Sequence, residues 1–363
     1  MNRTVLVMAG GTGGHVMPAL AVARGLRERG MDILWLGTRN GIEARLVPEA
    51  GLPIEWLEIG GLRGKGWKTR LAAPWNLLRA CVQAAGIIRR HRPVLALGLG
   101  GFASGPGGLM ARLMGVPLAI HEQNAVAGLT NRVLARLAQR VMEAYPGSFP
   151  NARGAVETGN PVRPAIAGLP LPEARFAYRT GPLRLLVMGG SLGARALNET
   201  VPVALARLQG TRGFMVRHQC GARHVDAARA AYRGAGVEAE VEPFIADMAE
   251  AYGWADLVIA RAGALTVAEL CAAGVGALLV PYPHAVDDHQ TRNAEWMVRH
   301  GAARRVEESA LDAARLADEL DSLCMDRAYL LAMARAAREL GRPEATAQVV
   351  EICMQLIAEK KKR

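Results

Sequence analysis

Ala260-Arg-Ala-Gly-Ala-Leu-Thr-Val-Ala-Glu269 is the stretch whose reading decides the fold. The apolar run Leu257-Val-Ile-Ala260 before it reads as a strand. It passes through Arg261-Ala-Gly263 into a helical pattern, Leu265 to Ala273, that stops at Gly274. A strand that turns at glycine into a helix aims the first unpaired N–H groups of that helix, and the positive end of its dipole, at one point. That point suits a phosphate. Glu269 lies about one and a half turns into the helix, where a carboxylate can accept hydrogen bonds from two neighbouring sugar hydroxyls. Thr266 adds a hydroxyl beside the phosphates. The spacing predicts a nucleotide-sugar site, with Glu269 on ribose and the helix start on the diphosphate. Such turns also occur in α/β proteins that hold nothing, so this one alone fixes backbone geometry and not a ligand.

The same opening occurs at the head of each half of the chain. Val5-Leu-Val-Met-Ala9 runs into Gly10-Gly-Thr-Gly-Gly-His15 and then a helix, and Leu183-Arg-Leu-Leu-Val-Met188 runs into Gly189-Gly-Ser-Leu-Gly-Ala194 and another. Between them, strand-like and helix-like segments alternate: Ile33–Leu36, helix 74–90, Leu95–Leu97, helix 107–114, Val116–Ile120 ending at His121-Glu-Gln-Asn124, helix 128–138 and Arg140–Met142. Strand 215–218, helix 222–234, strand 240–244 and Ala277–Leu-Leu-Val280 continue the second series, and helices fill 291–300, 309–322, 326–339 and 343–360. Alternation of this kind predicts parallel sheets covered by helices. The fold class expected is α/β, as two Rossmann-like doubly wound domains with a cleft between them. The Pro- and Gly-rich stretch 146–172 reads as the linker zone.

At 363 residues, with 51% hydrophobic and 21% charged residues, the chain has ample material for two cores. No run approaches the roughly 18 apolar residues of a membrane span, and the N-terminal apolar segment is too short for a signal peptide. Five scattered cysteines (81, 220, 271, 324 and 353) without a C-x-x-C point to reduced thiols in a cytoplasmic chain with no zinc site. The net charge of +11 is lopsided: residues 1–160 hold 19 Lys and Arg against 9 Asp and Glu, whereas 161–363 hold 25 against 24. A basic face invites nucleic acid, anionic lipid or a polyanionic substrate. Trp67, Leu71, Trp75, Leu77 and Leu78, interleaved with Arg63, Lys65, Lys68, Arg70 and Arg79, suggest a segment lying on anionic lipid. The alternative is a packed helix with a cationic rim. The tail Lys360-Lys-Lys-Arg363 reads as a solvated helix end or a further lipid contact. Nucleic-acid binding is not favoured, because no recognised module is present.

Gly98-Leu-Gly-Gly-Phe-Ala103 satisfies G-x-G-x-x-A, yet it does not follow the first strand of its domain and no acidic residue follows until Glu122, so it does not read as a nicotinamide-dinucleotide site. Glycine loops do supply close backbone approach and N–H donors for a diphosphate. Two of them in one basic domain suit a second polyphosphate ligand, distinct from the nucleotide. No D-x-D and no H-E-x-x-H occurs. A metal-chelated nucleotide is therefore not suggested, and the helix dipole is left to stabilise the leaving diphosphate.

Taken together, Gly10-Gly-Thr-Gly-Gly-His15, Gly98-x-Gly-Gly-Phe102 with Ser104-Gly-Pro-Gly-Gly108, His121-Glu-Gln-Asn124, Gly128-Leu-Thr-Asn131, Gly159-Asn-Pro-Val-Arg163, Gly189-Gly-Ser191, Phe244-Ile245, Gly263 to Glu269, and Gln290 with Asn293 closely resemble the MurG family. These are UDP-N-acetylglucosamine transferases of peptidoglycan synthesis that act on the undecaprenyl-linked lipid I. The resemblance implies a GT-B fold and an inverting transfer to the MurNAc 4-hydroxyl, giving lipid II and UDP without a metal or other cofactor. It implies an N-terminal acceptor and membrane-associating domain (1–163, with helix 341–363 packing back on it) and a UDP-GlcNAc domain (164–340). Donor contacts carried over are Thr12, Gly13, Gly14, Asn124, Arg163, Ser191, Ile245 (backbone to uracil), Ala264, Leu265, Thr266, Val267, Ala268, Glu269 and Gln290. The acceptor diphosphate maps to Gly11, His15, Gly100, Gly101 and Ser104, and the membrane patch to Trp67, Lys68, Arg70, Leu71, Trp75, Leu78 and Arg79. The resemblance also implies a peripheral place on the cytoplasmic face of the inner membrane, near cell-wall synthesis and division proteins. Leu192 departs from the glutamine usual after the loop serine, so only Ser191 is carried over there.

An inverting transfer needs a general base within hydrogen-bond reach of the attacking hydroxyl. His15 is the candidate, because an imidazole can be neutral near pH 7; its other reading is a helix-start histidine that binds phosphate or orders the loop. His121 and Glu122 come next. Rival functions are another GT-B enzyme, such as a glycolipid transferase or a UDP-GlcNAc 2-epimerase, or a non-catalytic nucleotide-sugar or nucleic-acid binding module.

Overall fold

The computed structural model describes residues 3–60, 73–150, 154–190, 193–210 and 213–361. The chain divides into two units, Met1–Val162 with Glu344–Arg363 and Arg163–Pro343. In the first unit the strands are β1 (Thr4–Met8), β2 (Asp32–Gly37), β3 (Ile54–Trp56), β4 (Leu95–Gly98), β5 (Leu118–Glu122), β6 (Arg140–Glu143) and β7 (Val156–Glu157). All pair in parallel, in the order β3-β2-β1-β4-β5-β6-β7. The inner strands are apolar on both faces because helices cover both. One core packs Val5, Val7, Ile33, Trp35, Leu95 and Leu97 against the helices Gly13–Glu28 and Ala345–Lys361. The other packs Leu6, Met8, Leu34, Leu36 and Ile120 against the helices Ala73–His91 and Ser104–Leu113.

In the second unit the strands are β8 (Leu183–Met188), β9 (Phe214–Gln219), β10 (Glu240–Glu242), β11 (Leu257–Ala260), β12 (Gly276–Leu279) and β13 (Ala303–Arg305). They too are parallel, in the order β10-β9-β8-β11-β12-β13. Both sheets therefore reverse direction of growth beside their first strand, between β1 and β4 and between β8 and β11. Loops leaving the carboxyl ends of those two strand pairs diverge, and the space between them is where such sheets bind ligands.

The alternating pattern is found as expected, with three differences. Strands β3, β7 and β13 are only two or three residues long and lie at or next to sheet edges, too short for any periodicity. The stretch 146–172, expected to be a linker, holds β7 and the short helix Pro164–Ala167. His121 and Glu122 do not follow β5 but form its last two residues, paired with Met142 and Glu143 of β6.

Candidate functional site

In the first unit β1 delivers Ala9, Gly10, Gly11 and Thr12 to the N-terminus of the helix Gly13–Glu28. The amides of His15 and Val16 both donate to the Thr12 carbonyl, leaving those of Gly13 and Gly14 pointing out of the helix start. The loop is shaped from behind by Glu43. That side chain is fully buried and accepts hydrogen bonds from the Gly11 amide (2.9 Å), the Thr38 amide (3.0 Å) and the Thr38 hydroxyl (2.7 Å). A Cβ on Gly10 would sit 2.5 Å from its Oε1. Glu43 belongs to none of the sequence motifs, and its bond to Gly11 turns that residue's amide inward.

The second glycine loop leaves β4 and meets the first backbone to backbone. Gly101 has φ +85°, and a Cβ there would lie 2.4 Å from the Gly10 carbonyl oxygen. Gly100 has φ +98°, and a Cβ there would lie 2.8 Å from both Cε1 and Nδ1 of His15. The imidazole is thus laid flat against a position only glycine fits. Its Nδ1 is 2.8 Å from Gln123 Oε1. Ser104 is fully buried, and its hydroxyl is held 2.8 Å from the carbonyl oxygens of Met8 and Gly100, fastening the next helix under the loop.

The end of β5 excludes the two other base candidates. Glu122 is buried, and its four hydrogen bonds go to the Asn124 amide (3.0 Å), Asn124 Nδ2 (3.1 Å), the Gly128 amide (3.1 Å) and Asn131 Nδ2 (2.9 Å). His121 is buried with both ring nitrogens engaged, Nε2 at 2.9 Å from the Gly159 carbonyl and Nδ1 at 3.0 Å from Gln123 Nε2. Burial pushes its imidazole down to about 4, so it stays neutral. Both residues order the loop that presents Asn124, whose carbonyl accepts from the Ser148 hydroxyl at 2.8 Å.

In the second unit β11 turns at Gly263 into the helix Ala264–Ala273, which ends at Gly274 in the left-handed region, φ +65°. Gly263 is the N-cap, without a side-chain cap bond. The Val267 amide closes back onto the Gly263 carbonyl at 3.0 Å, and the Val267 side chain is buried. The Val267 amide is thus engaged within the helix, and Leu265 and Thr266 stand in its first turn. Glu269 lies beneath that turn, 4% exposed. Its Oε1 accepts from Arg163 Nε (3.0 Å) and Nη2 (2.8 Å), and its Oε2 from the Tyr252 hydroxyl (3.2 Å). Burial raises the carboxyl above its ordinary range, and the Arg163 guanidinium opposes that shift. Two expected donor residues are thus found in contact, while Tyr252, fully buried, had no motif to announce it.

Ile245 is buried, and its amide donates to Gln219 Oε1 at 3.1 Å. Gln290, in the helix His289–Arg299, accepts from the Tyr282 amide at 2.9 Å. Asn293 donates to the Ala262 carbonyl at 3.2 Å and so braces the turn before Gly263. Ser191, Trp67, Lys68, Arg70, Leu71 and the end of the tail, 362–363, lie outside the described residues. Trp75 (71% exposed) and Leu78 (55%) stand on the solvent side of the helix Ala73–His91, while Ala80, Ala84, Ile87 and Ile88 face the core. Arg79 pairs with Glu58 at 2.5 Å. No helix among the described residues is long and apolar enough to cross a membrane.

Two doubly wound units, each with glycine-rich loops at its switch point and one with a buried carboxylate under a helix start, define a nucleotide-sugar-dependent glycosyltransferase of the GT-B class. Residues 5–143 match the glycosyltransferase family 28 N-terminal domain and residues 184–349 its C-terminal domain. The chain is 58% identical over 98% of its length to the UDP-N-acetylglucosamine–N-acetylmuramyl-(pentapeptide) pyrophosphoryl-undecaprenol N-acetylglucosamine transferase of Nitrosococcus oceani, 99% of which is covered. It is 56% identical to the enzyme of the same name from Marinobacter nauticus, with 98% of each chain covered. The crystal structure of Acinetobacter baumannii MurG superposes with a TM-score of 0.85 at 42% identity, covering 97% of this chain and 99% of that one. The chain belongs to the MurG family.

Buried histidines make an acid-stability prediction. His121 in the first unit and His218 in the second are both held neutral, each lowered by burial from an ordinary 6.5 to about 4. An unfolded chain takes up those protons near pH 6.5 and the folded one resists until about 4, so folded stability is full above pH 6.5 and falls as pH drops from 6.5 towards 4. Urea midpoints at pH 7.5, 6 and 5 should decline in that order; a flat series would contradict the burial.

Proposed function

We propose that the second unit holds UDP-GlcNAc and the glycine loops of the first hold the diphosphate of lipid I, in the reaction this enzyme catalyses. That reaction moves N-acetylglucosamine from UDP-GlcNAc to lipid I and yields lipid II and UDP in peptidoglycan synthesis. The observation that carries the donor assignment is Glu269, buried beneath the start of the helix Ala264–Ala273 and gripped on one oxygen by Arg163. A carboxylate offers about four acceptor positions. Arg163 and Tyr252 occupy three, so one position remains, in a site of low dielectric, for a ribose hydroxyl. The amides of the first turn face the diphosphate and, with the helix dipole, favour the negative charge that grows as UDP departs. The Ile245 carbonyl accepts from the uracil imide, and Gln290, steadied by Tyr282, turns its amide group to the sugar.

His15 is the general base in this reading. It lies at a helix start on the open side of both glycine loops, half-buried, with one ring nitrogen engaged by Gln123. As the acceptor hydroxyl attacks the anomeric carbon, its proton passes to the imidazole and the bond to the diphosphate oxygen breaks on the opposite face. The backbone at Gly100 and Gly101 faces the acceptor diphosphate. Peripheral attachment to an anionic leaflet, near other cell-wall synthesis and division enzymes, belongs to the same proposal. It is supported by the solvent-facing Trp75 and Leu78 on a basic unit.

A lipid I analogue with UDP-GlcNAc tests the whole reading: UDP release should require the acceptor, and release without it would exclude the transfer. Replacing His15 with Ala should lower kcat about 10²–10⁴-fold, the usual contribution of general acid–base catalysis, with KM for UDP-GlcNAc little changed. Near-normal turnover would remove His15 from the role. For Glu269→Ala the expectation is a loss of UDP affinity of about tenfold to hundredfold, as for a lost hydrogen bond to a charged group; calorimetry showing unchanged affinity would refute the ribose assignment. The double variant Trp75→Glu/Leu78→Glu should co-sediment poorly with phosphatidylglycerol vesicles while keeping turnover on a short-chain soluble acceptor. Undiminished sedimentation would place the membrane contact elsewhere.

A further inference from the structure

The side chains behind His15 form one unbroken line: Gly159 carbonyl, His121, Gln123, His15. The polarity of that line follows from the end that cannot be reversed. A backbone carbonyl only accepts. His121 Nε2, 2.9 Å from the Gly159 oxygen, must therefore carry a proton and donate it. The ring is buried and neutral, lowered to about 4, so its other nitrogen, Nδ1, is a bare acceptor. The Gln123 amide is oriented by two acceptors at once: its Nε2 faces His121 Nδ1 at 3.0 Å and the His121 carbonyl oxygen at 3.1 Å, and neither could face an amide oxygen favourably. Its Oε1 is consequently on the opposite side, 2.8 Å from His15 Nδ1. An amide oxygen only accepts, so His15 Nδ1 carries the proton.

We propose that Gln123, itself oriented by His121 and the Gly159 carbonyl, is a positioning residue that fixes His15 in the Nδ1–H tautomer and leaves Nε2 as the lone-pair nitrogen available to take a proton from substrate. The line is rigid at each station. Gln123 is fully buried and its own carbonyl accepts from Asn160 Nδ2 at 2.9 Å, while the Thr158 hydroxyl joins His121 on the Gly159 oxygen at 3.1 Å. At the far end the His15 ring lies over Gly100, where a Cβ would come within 2.8 Å of its Cε1 and Nδ1. His15 Nε2 makes no hydrogen bond among the described residues, whereas Nδ1 is committed. The inference rests on His15 as general base for its consequence in turnover, but the tautomer itself is a property of the ligand-free protein.

The test is the imidazole tautomer in protein labelled with ¹⁵N-histidine, read from long-range ¹H–¹⁵N correlations at pH 8, with the His15 signals located by their loss in His15→Asn. Wild type should show His15 as Nδ1–H and His121 as Nε2–H. In Gln123→Ala, His15 should lose that single tautomer, and kcat should fall about 10–100-fold, the scale on which orienting partners act, with KM for UDP-GlcNAc unchanged. An Nε2–H tautomer for His15 in wild type overturns the proposal even if Gln123→Ala does not fold. A folded Gln123→Ala that keeps wild-type kcat overturns it as well. Normal turnover in His15→Ala instead refutes the general-base reading, and the wild-type spectrum still decides the tautomer.

Discussion

The first unit depends on two backbones in contact. Gly101 and Gly10 come so close that a single methyl group on Gly101 would overlap the Gly10 carbonyl, and a methyl on Gly10 would overlap Glu43. A loop of side chains could not bring β1 and β4 to a common point at the switch of the sheet. Once they meet, the consequences are local and fixed. The helix Gly13–Glu28 starts where its free amides look outward, His15 lies down on Gly100, and Gln123 from the end of β5 comes within reach of the ring. Buried carboxylates keep the arrangement in place. Glu43, Glu122 and Glu143 are each buried and each accept backbone amides from the loops at this end of the sheet.

The second unit solves the same problem with different means. Its helix start is left without a side-chain cap, and the carboxylate beneath it is held by a guanidinium and a phenol. In the ribose-binding role proposed for Glu269, a buried carboxylate faces two demands: it must be dry enough for its hydrogen bonds to be strong, and charged enough to accept them. Burial alone pushes Glu269 towards the protonated acid, and the paired Arg163 draws it back. Arg163 is the first residue of the unit, and a contact with Glu269 ties the start of the unit to the helix Ala264–Ala273.

How far the sequence reached depended on whether the signal was local. Strand–glycine–helix turns are contiguous patterns, so both sheets and both switch points could be read, as could the arrest of the helix at Gly274. The short edge strands β3, β7 and β13 could not, because two or three residues carry no period. Among site residues, position along the chain was legible and hydrogen-bond commitment was not. Gly11, Ser104 and Val267 stand where a ligand contact is expected, and each has a polar group bonded to the protein. Conversely Glu43, Gln123 and Tyr252 act across 32, 108 and 17 residues of chain, through contacts that only the folded sheet creates.

The burial of three glutamates also alters how the charge of the first unit is to be understood. That half of the chain has few acidic residues, and those placed inside to accept loop amides contribute little to the surface field. What the solvent meets is more basic than the composition implies, and it is met beside an apolar strip of Trp75, Leu77, Leu78 and Val82. The choice of an amide at Gln123 follows the same economy of charge. A carboxylate there would orient a histidine equally well, but it would also stabilise the imidazolium and bring another anion towards the loops proposed to hold the acceptor diphosphate. A neutral amide fixes the ring nitrogen that carries the proton and adds no charge of its own.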